Sequence, residues 1–185
     1  LDIYQYERPI GIQIFGSEIE SMKKTAEIVE KTNPDILDIN YGCPVKKVAC
    51  KGAGAGILQD IPKMVKMTSE IVKSTSLPVT VKTRLGWDHD SIKIVEVAER
   101  LQDVGCKAIS IHGRTRAQMY KGNADWKNDI PFGWLVLDAN HRGERDKVFE
   151  KKLAVLEVAE HTEIDGETDS EQSNAVAGYH KLWAA

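Results

Sequence analysis

The sequence predicts an α/β fold in which four strand–helix units follow one another, the last without its helix. Short apolar runs alternate with segments of helical periodicity, and turn signals separate them. Strands that alternate with helices form a parallel sheet, because each crossover returns the chain to the same edge. The 185 residues suffice for one such domain with an appendage, whereas a complete eightfold β/α barrel needs about 250.

Ordinary start and stop signals bound these units. Asn33-Pro34 ends the first helix, Asp60 and Pro62 begin the second, and Gly105 suits the C′ position of the third. The predicted elements are strand 9–16, helix 17–31, strand 35–40, helix 61–74, strand 77–84, helix 91–104 and strand 106–112. A loop with three lysines and three glycines connects the second strand to the second helix.

Polar residues gather at the carboxyl end of all four predicted strands. In chain order they are Gln13, Asn40 with Cys43, Lys82 with Arg84, and His112 with Arg114. Because parallel strands place their carboxyl ends on one edge, these side chains converge where α/β proteins bind ligands. Lys82 in particular is hard to explain by packing, since burial of an ammonium group is costly. The sequence therefore predicts a functional site at this edge.

The pattern changes after residue 126. Residues 1–126 carry 18 Lys and Arg against 16 Asp and Glu, whereas residues 127–185 carry 7 against 12. We therefore divide the chain into an α/β domain, 1–126, and an unassigned extension, 127–185. The extension is predicted to hold a short strand at 132–138, helical character over 142–160, a disordered acidic link over 161–172 and a weak helix over 173–185.

Composition argues against several functional classes. The overall charge of −3 gives no basic footprint for nucleic acid, and no apolar run approaches the ~20 residues of a membrane span. Three cysteines, an odd number without a signal peptide, indicate reduced thiols in a cytoplasmic protein. Cys43 and Cys50 lie seven apart without a CxxC or a histidine-rich partner, so we expect no metal site.

Four motifs carry a resemblance to a known family. They are Asp38-Ile-Asn-Tyr-Gly-Cys-Pro44, the Lys46-Lys47 pair with its Gly-rich loop, Val81-Lys-Thr-Arg-Leu-Gly-Trp87 and Ile111-His-Gly-Arg-Thr-Arg116. In this order and at this spacing they resemble the tRNA-dihydrouridine synthases, and most closely the bacterial DusB-like branch, over residues 7–126. The resemblance implies an oxidoreductase with an FMN-binding TIM-type (β/α) barrel. Such enzymes reduce uridine in tRNA to 5,6-dihydrouridine, with NADPH as the reductant of the flavin.

The resemblance also implies roles for individual residues. Those expected to bind FMN are Gln13, Asn40, Lys82, His112 and Arg114. Those expected to contact tRNA or the substrate base are Lys46, Lys47, Lys51, Arg116 and Tyr120. Cys43 matches the thiol that gives a proton to uracil C5 after hydride reaches C6. The chemistry suits a cysteine, because hydride addition creates negative charge that an acid must neutralise, and an ordinary thiol with a pKa of about 8.5 is protonated at neutral pH.

Structural interpretations of the same residues stay open at this point. Cys43 is also compatible with a small buried hydrophobe, His112 with a hydrogen-bonded core histidine, and Gln13 with a strand-end residue that satisfies backbone groups. The three lysines fit a solvated face as well as they fit phosphate contacts.

The resemblance is partial, and this bounds the expected activity. The chain matches the family from about its third barrel strand, and it lacks the N-terminal flavin-binding segment and the Gly-Arg-Gly phosphate site. We expect a partial barrel with two open sheet edges that could associate with another chain, and a C-terminal part foreign to the family. The alternatives are another FMN-barrel oxidoreductase acting on a small pyrimidine, and a non-catalytic fragment or interaction module. The basic loop after Cys43 favours tRNA, because a small substrate needs no lysines along a phosphate backbone.

Overall fold

The computed structural model describes residues 3–125, together with the backbone of three short strands further along the chain. The strands are β1 (Gly11–Phe15), β2 (Ile36–Tyr41), β3 (Val79–Arg84), β4 (Ala108–His112), β5 (Leu135–Asp138), β6 (Leu153–Glu157) and β7 (Gly178–His180). The helices are α1 (Ile19–Lys31), α2 (Lys46–Ala49), α3 (Ile61–Ser74) and α4 (Ile94–Asp103). Short 3₁₀ helices span Gln5–Glu7, Gly54–Gln59 and His89–Ser91.

The strands form one open sheet in the order β5-β4-β3-β2-β1-β6-β7. Every neighbouring pair is parallel except β6 with β7. The four predicted parallel strands are thus confirmed, and their alternation with helices is consistent with part of a TIM-type barrel. The edges that we expected to be open, at β1 and β4, are paired with β6 and β5.

One face of the sheet packs against α1, α3 and α4 and forms the core. Ile12 lies opposite Leu37, and Ile39 lies opposite Val81, with all four side chains fully buried. The helices contribute apolar residues at helical spacing to the same cluster, among them Met22, Ala26, Val29, Met64, Met67, Ile71, Val97 and Leu101. Within the described residues, no helix is both long and apolar enough to cross a bilayer.

Two predictions for the extension are wrong where the structure describes it. Residues 153–157, predicted as helical, form β6 beside β1, and residues 178–180 form β7 instead of a weak helix. A short apolar run fits both periodicities, and here pairing with the edge of β1 decides the outcome. The strand predicted over 132–138 is confirmed at 135–138. The acidic link lies outside the described residues, and the division at residue 126 stays a prediction.

The lysine- and glycine-rich segment is more regular than the predicted loop. It forms α2 and then the 3₁₀ helix Gly54–Gln59, which is buried from Gly54 to Leu58. A Cβ atom at Gly56 would lie 2.2 Å from the carbonyl oxygen of Ala49, so only glycine permits this approach. The segment after Cys43 is therefore packed against its own preceding turn.

Candidate active site at the carboxyl edge of the sheet

The face of the sheet opposite the helices carries polar side chains in register. These residues are Gln13, Asp38 and Thr80 in one row, and Asn40, Lys82 and Ser110 in the next. They lie here because successive side chains of a strand point to opposite faces, so the apolar neighbours of each residue enter the core. The structure thus brings Gln13, Asn40 and Lys82 onto one face, while their binding roles stay predictions.

A chain of side-chain hydrogen bonds joins four of these residues. Gln13 Nε2 donates to Asp38 Oδ2 at 2.6 Å, and Asn40 Nδ2 donates to Gln13 Oε1 at 2.9 Å. Thr80 Oγ1 donates to the other oxygen of Asp38. Gln13 and Asp38 are buried, whereas Asn40 is partly exposed at the end of the chain of bonds. The amides are therefore fixed by the protein itself.

Burial raises the pKa of the Asp38 carboxyl above its ordinary value. The hydrogen bonds from Gln13 and Thr80 and the positive charge of Lys82 oppose this shift. The carboxyl group therefore occupies a position that is costly for a charge but rich in donors. A buried carboxyl without such partners would be strongly disfavoured.

Cys43 is held by its backbone next to this network. Asn40 Oδ1 accepts the N–H groups of Gly42 at 3.0 Å and of Cys43 at 2.9 Å, an arrangement typical of an asparagine that closes a turn. The carbonyl oxygen of Cys43 accepts the N–H of Ala55 at 3.0 Å. The thiol is partly exposed and free of any disulfide. The sequence-predicted acid thus lies on a hydrogen-bonded turn, in a residue that is partly exposed.

A buried arginine ties this turn to the loop after β4. Arg84 Nε donates to the carbonyl of Gly42 at 2.8 Å, and its Nη1 donates to the carbonyls of Thr115 at 3.1 Å and Met119 at 2.7 Å. The guanidinium also lies 5.5 Å from the ring centroid of Tyr120. Arg84 was noted only as a strand-end residue in the sequence, but the structure makes it the link between two loops of the site.

His112 and Tyr120 lie together at the same end of the sheet. His112 pairs in register with Arg84 and is buried, and its ring lies 6.2 Å from that of Tyr120 in an edge-on arrangement. Tyr120 itself is 61% exposed, so most of its ring can meet a ligand from outside. The proximity of the two rings was not evident from their positions in the sequence.

The other two predicted arginines act on neighbouring loops. Arg114 donates through Nε and Nη2 to the carbonyl oxygen of Gly122, at 3.1 and 3.0 Å. The guanidinium of Arg116 lies 4.5 Å from the ring centroid of Trp87, a stacking contact. Neither side chain belongs to the network of Gln13 and Asn40. Their observed contacts brace the loop that follows β4.

The three predicted lysines lie on the surface just after Cys43. Lys46 and Lys47 belong to α2, Lys51 follows it, and all three are exposed. Because α2 begins three residues after Cys43, this positive surface borders the thiol. It can meet phosphate groups of a ligand whose reacting part lies at the sheet edge.

The polar face has unused hydrogen-bonding capacity that suits a polar ring system. Gln13 and Asn40 each engage one amide N–H in the network, which leaves the second for a ligand. Ser110 Oγ is buried and has no hydrogen-bond partner among the described residues. These groups fit the carbonyl oxygens and ring nitrogens of a flavin. Within residues 3–125, no cluster of His, Cys, Asp or Glu is suited to a metal ion.

Sequence reasoning missed Asp38, Thr80 and Ser110 as parts of this face. A signal was present, because polar residues recur at every second position in β2, β3 and β4. We weighed only the residues at the strand ends, whereas the alternation runs further back along each strand.

Comparison with known proteins identifies the family to which this region belongs. Residues 2–129 match the family model "Dihydrouridine synthase (Dus)". Similar proteins include a "Probable tRNA-dihydrouridine synthase 1" of Synechocystis, 42% identical over 127 residues, which are 69% of this chain and 36% of that protein. A "Probable tRNA-dihydrouridine synthase" of Rhodobacter capsulatus is 42% identical over 64% of this chain and 37% of its own length. A "tRNA-dihydrouridine synthase B" of Pasteurella multocida is 43% identical over 64% of this chain and 36% of its own length.

The chain spans just over a third of the length of each of these relatives. The matched part coincides with the described α/β region, which holds the polar face, the Cys43 turn and the loop after β4. Because the family model covers well over half of the sequence, the chain belongs to the dihydrouridine synthase family, in its DusB-like part.

Proposed function

We propose that this chain forms part of an FMN-dependent enzyme that reduces uridine in tRNA to 5,6-dihydrouridine, with NADPH as the reductant of the flavin. One observation carries the proposal: in a member of this family, Asn40 holds the Cys43 turn at the edge of a polar face with spare donors. The names of the relatives support tRNA as the substrate. We place the protein in the cytoplasm, since its three cysteines are free thiols.

We assign the flavin to the polar face of the sheet. The residues that would hold it are Gln13, Asn40, Lys82, His112 and Arg114. When bound, FMN supplies the hydride that adds to C6 of uracil. Lys82 brings positive charge to this face and stabilises negative charge on a bound ring, while Gln13 and Asn40 donate their second N–H groups. Arg114 contributes by holding the loop after β4 in place.

We assign to Cys43 the proton that completes the reduction. Addition of a hydride to C6 leaves a pair of electrons shared between C5 and O4, and the thiol gives its proton to C5. Hydride and proton together account for the two hydrogens gained by the base. Because Cys43 is only partly buried, solvent can return a proton to the thiolate after product release. Asn40 keeps the thiol at a fixed distance from the polar face through the Cys43 backbone.

The exposed lysines, Arg116 and Tyr120 are assigned to the RNA. Lys46, Lys47 and Lys51 would contact phosphates on either side of the target uridine, and the exposed ring of Tyr120 offers a surface for stacking. Phosphate contacts hold the strand in register without selecting sequence. The base itself must leave its stack to reach Cys43, as in other enzymes that modify bases.

The first test is the visible absorption spectrum of the purified chain, followed by tRNA modification. A flavin spectrum is expected, and a colourless folded protein would contradict flavin binding by this chain. With flavin bound, Cys43→Ala should abolish dihydrouridine formation in tRNA without altering the spectrum. Cys50→Ala is the matched control, because Cys50 is exposed in the same segment and should keep full activity. Equal activity of both variants would refute the acid role, and turnover of a free pyrimidine but not tRNA would favour the small-substrate alternative.

The second test addresses the RNA surface. Lys46→Gln and Lys47→Gln should each weaken tRNA binding and reduce the slope of log Kd against log salt by about 1. Lys107→Gln serves as the control, since Lys107 is equally exposed but precedes β4, at the opposite edge of the sheet. A salt slope that falls as much for Lys107→Gln as for the α2 variants would show that the contact is not at α2.

A further inference from the structure

The hydrogen bonds around Asp38 form a continuous chain that ends at the backbone of Cys43. Thr80 and Gln13 donate to Asp38, Asn40 donates to Gln13, and the amide N–H of Cys43 donates to Asn40. The three side-chain and backbone bonds that run from Asp38 to Cys43 measure 2.6, 2.9 and 2.9 Å. They cross from β2 to β1 and back, so they connect the interior of the polar face to the turn that carries the thiol.

The two ends of this chain fix the direction of every bond in it. A backbone N–H can only donate, so Asn40 must turn its oxygen to Cys43 and its NH₂ to Gln13. Gln13 must then turn its oxygen to Asn40 and its NH₂ to Asp38. Only a group that accepts can stand at that position, and the Asp38 carboxylate does so. The amide orientations therefore follow from the network alone.

We infer that Asp38 is a positioning residue: its carboxylate sets the orientation of the Gln13 and Asn40 amides and thereby holds the backbone of Cys43 in place. This inference deepens the proposed function, on which the importance of Cys43 rests. Asp38 does not touch the thiol, and its effect passes through two amides. It also explains why a carboxyl group is present in an otherwise unfavourable buried position. The orientation leaves both amides with a further N–H, which is what a ligand with carbonyl oxygens requires.

Replacement of the Asp38 carboxylate by an amide weakens the chain in either orientation of the new side chain. In Asp38→Asn, the new NH₂ group can replace the oxygen that faces Gln13, and Gln13 must then turn its oxygen toward position 38. The NH₂ of Gln13 would then face the NH₂ of Asn40, and two donors would meet. If the Asn40 amide rotated to avoid this, the NH₂ of Asn40 would face the N–H of Cys43. If the new amide instead keeps its oxygen toward Gln13, its NH₂ faces Thr80, whose hydroxyl can rotate to accept. Loss of the carboxylate charge then weakens the anchoring bond.

A second substitution should repair the defect. In the double variant Gln13→Glu with Asp38→Asn, a carboxylate at position 13 accepts from Asn40 and from the new amide at position 38. The number of charges on this face is unchanged, because one carboxylate has moved from position 38 to position 13. The original orientation of Asn40, and its bond to Cys43, are restored. A purely structural requirement for a carboxyl at position 38 would not be met by this exchange.

The experiment measures amide hydrogen exchange at Gly42 and Cys43, and the alkylation rate of Cys43, in the full chain without flavin or tRNA. Asp38→Asn should speed exchange of both amides roughly tenfold, because the hydrogen bonds that end at position 38 weaken by about the strength of one neutral hydrogen bond, and the double variant should return both rates to within about threefold of the parent. Asp35→Asn is the control, since Asp35 accepts the N–H of Ile10 and so joins the two segments just before β1 and β2 begin, at the other end of these strands. Its effect on the Cys43 turn should be small.

Two outcomes would overturn the inference: a double variant no better than Asp38→Asn, or equal changes in the Asp35→Asn control. If circular dichroism shows that Asp38→Asn does not fold, Gln13→Met takes its place, because it breaks the chain of hydrogen bonds while Asp38 stays. Unaltered amide exchange at Cys43 in Gln13→Met would also overturn the inference. The readouts need no catalysis, so they separate this inference from the proposed function. If amide exchange in the Asp38 variants changes as expected but the protein does not reduce tRNA, the proposed function alone is refuted. If tRNA reduction depends fully on Cys43 but Asp38→Asn leaves amide exchange unchanged, the inference alone is refuted.

Discussion

Gly54 lies directly beneath the turn that carries Cys43, and we expect Gly54→Ala to displace that turn. A Cβ atom at this position would lie 2.9 Å from Cys43 Cβ, 2.9 Å from the Cys43 carbonyl oxygen and 3.1 Å from a methyl carbon of Val48. Real Cβ atoms essentially never show the two contacts of 2.9 Å, and both of these involve the thiol-bearing residue itself. The turn must therefore move away from Gly54, or the 3₁₀ helix that follows must move away from the turn.

The matched control Gly52→Ala separates the strain of a left-handed backbone from the crowding of the new methyl group. Gly52 and Gly54 both adopt left-handed backbone, with φ of +76° and +53°, so both variants carry the same strain of about 1–2 kcal/mol. At Gly52, however, the nearest atom to the new methyl group is Ser17 Cβ at 3.7 Å, an ordinary contact. The crowding at Gly54 adds about 1–3 kcal/mol, the usual range for overpacking. Gly54→Ala should thus cost about 2–5 kcal/mol, and Gly52→Ala about 1–2 kcal/mol.

The assay combines urea unfolding, followed by circular dichroism, with the rate of iodoacetamide reaction at Cys43. Gly54→Ala should lower the free energy of unfolding more than Gly52→Ala does, and only Gly54→Ala should alter the Cys43 rate. Equal losses of stability with unchanged thiol reactivity in both variants would show that Gly54 is needed for its backbone conformation alone. The role of close packing under the Cys43 turn would then be refuted.

Two further predictions concern groups buried near the site and in the core. Arg84→Met should lower the free energy of unfolding by about 3 kcal/mol, because three carbonyls lose a charged donor. The control Arg100→Met removes only an exposed ion pair with Glu96 on the same helix, worth about 0.5 kcal/mol. Urea unfolding compares the two variants, and similar losses of stability would contradict the linking role of Arg84. Burial raises the pKa of the Cys106 thiol to about 12, so the folded state keeps its proton where the unfolded chain has lost it. Stability should therefore fall as pH rises from about 9 toward 12, by roughly 1.4 kcal/mol at pH 10, and Cys106→Ala should remove that part of the slope.

The sequence was sufficient for the four central strands and their helices because periodicity and breakers agree there. Asp60, for example, was expected to begin a helix, and its carboxylate accepts the N–H of Lys63 at 3.0 Å at the start of α3. The same reasoning failed at residues 153–157, where Leu-Ala-Val-Leu-Glu is compatible with either a helix or a strand. Pairing with β1, 142 residues earlier in the chain, is a long-range effect that local patterns do not contain.

Lys82 shows how the site could have been predicted further. Its position inside an apolar strand and next to Arg84 at the strand end predicts a function, but Thr80, two residues earlier on the same face, extends that polar face back along the strand. In a doubly wound sheet both faces are covered by helices, and strands are then apolar on both sides. Strands with one apolar and one polar face, as in β2, β3 and β4, need something other than a helix on the polar side.

The contrast between strands that are apolar on both faces and strands that are polar on one face also distinguishes the doubly wound sheet from the barrel, the two commonest parallel α/β architectures. The three longer α-helices, α1, α3 and α4, contribute to a single core with the apolar face, whereas Gln13, Asp38 and His112 are buried on the opposite face. Buried polar groups in such numbers are tolerated when they bind one another or a ligand. Asp38, Gln13 and Asn40 satisfy one another, whereas Ser110 Oγ has no partner in the described part of the chain. The pattern is therefore typical of a barrel wall whose inner face borders a ligand site. The chain of hydrogen bonds that ends at Cys43 connects this wall to the residue that we propose as the acid.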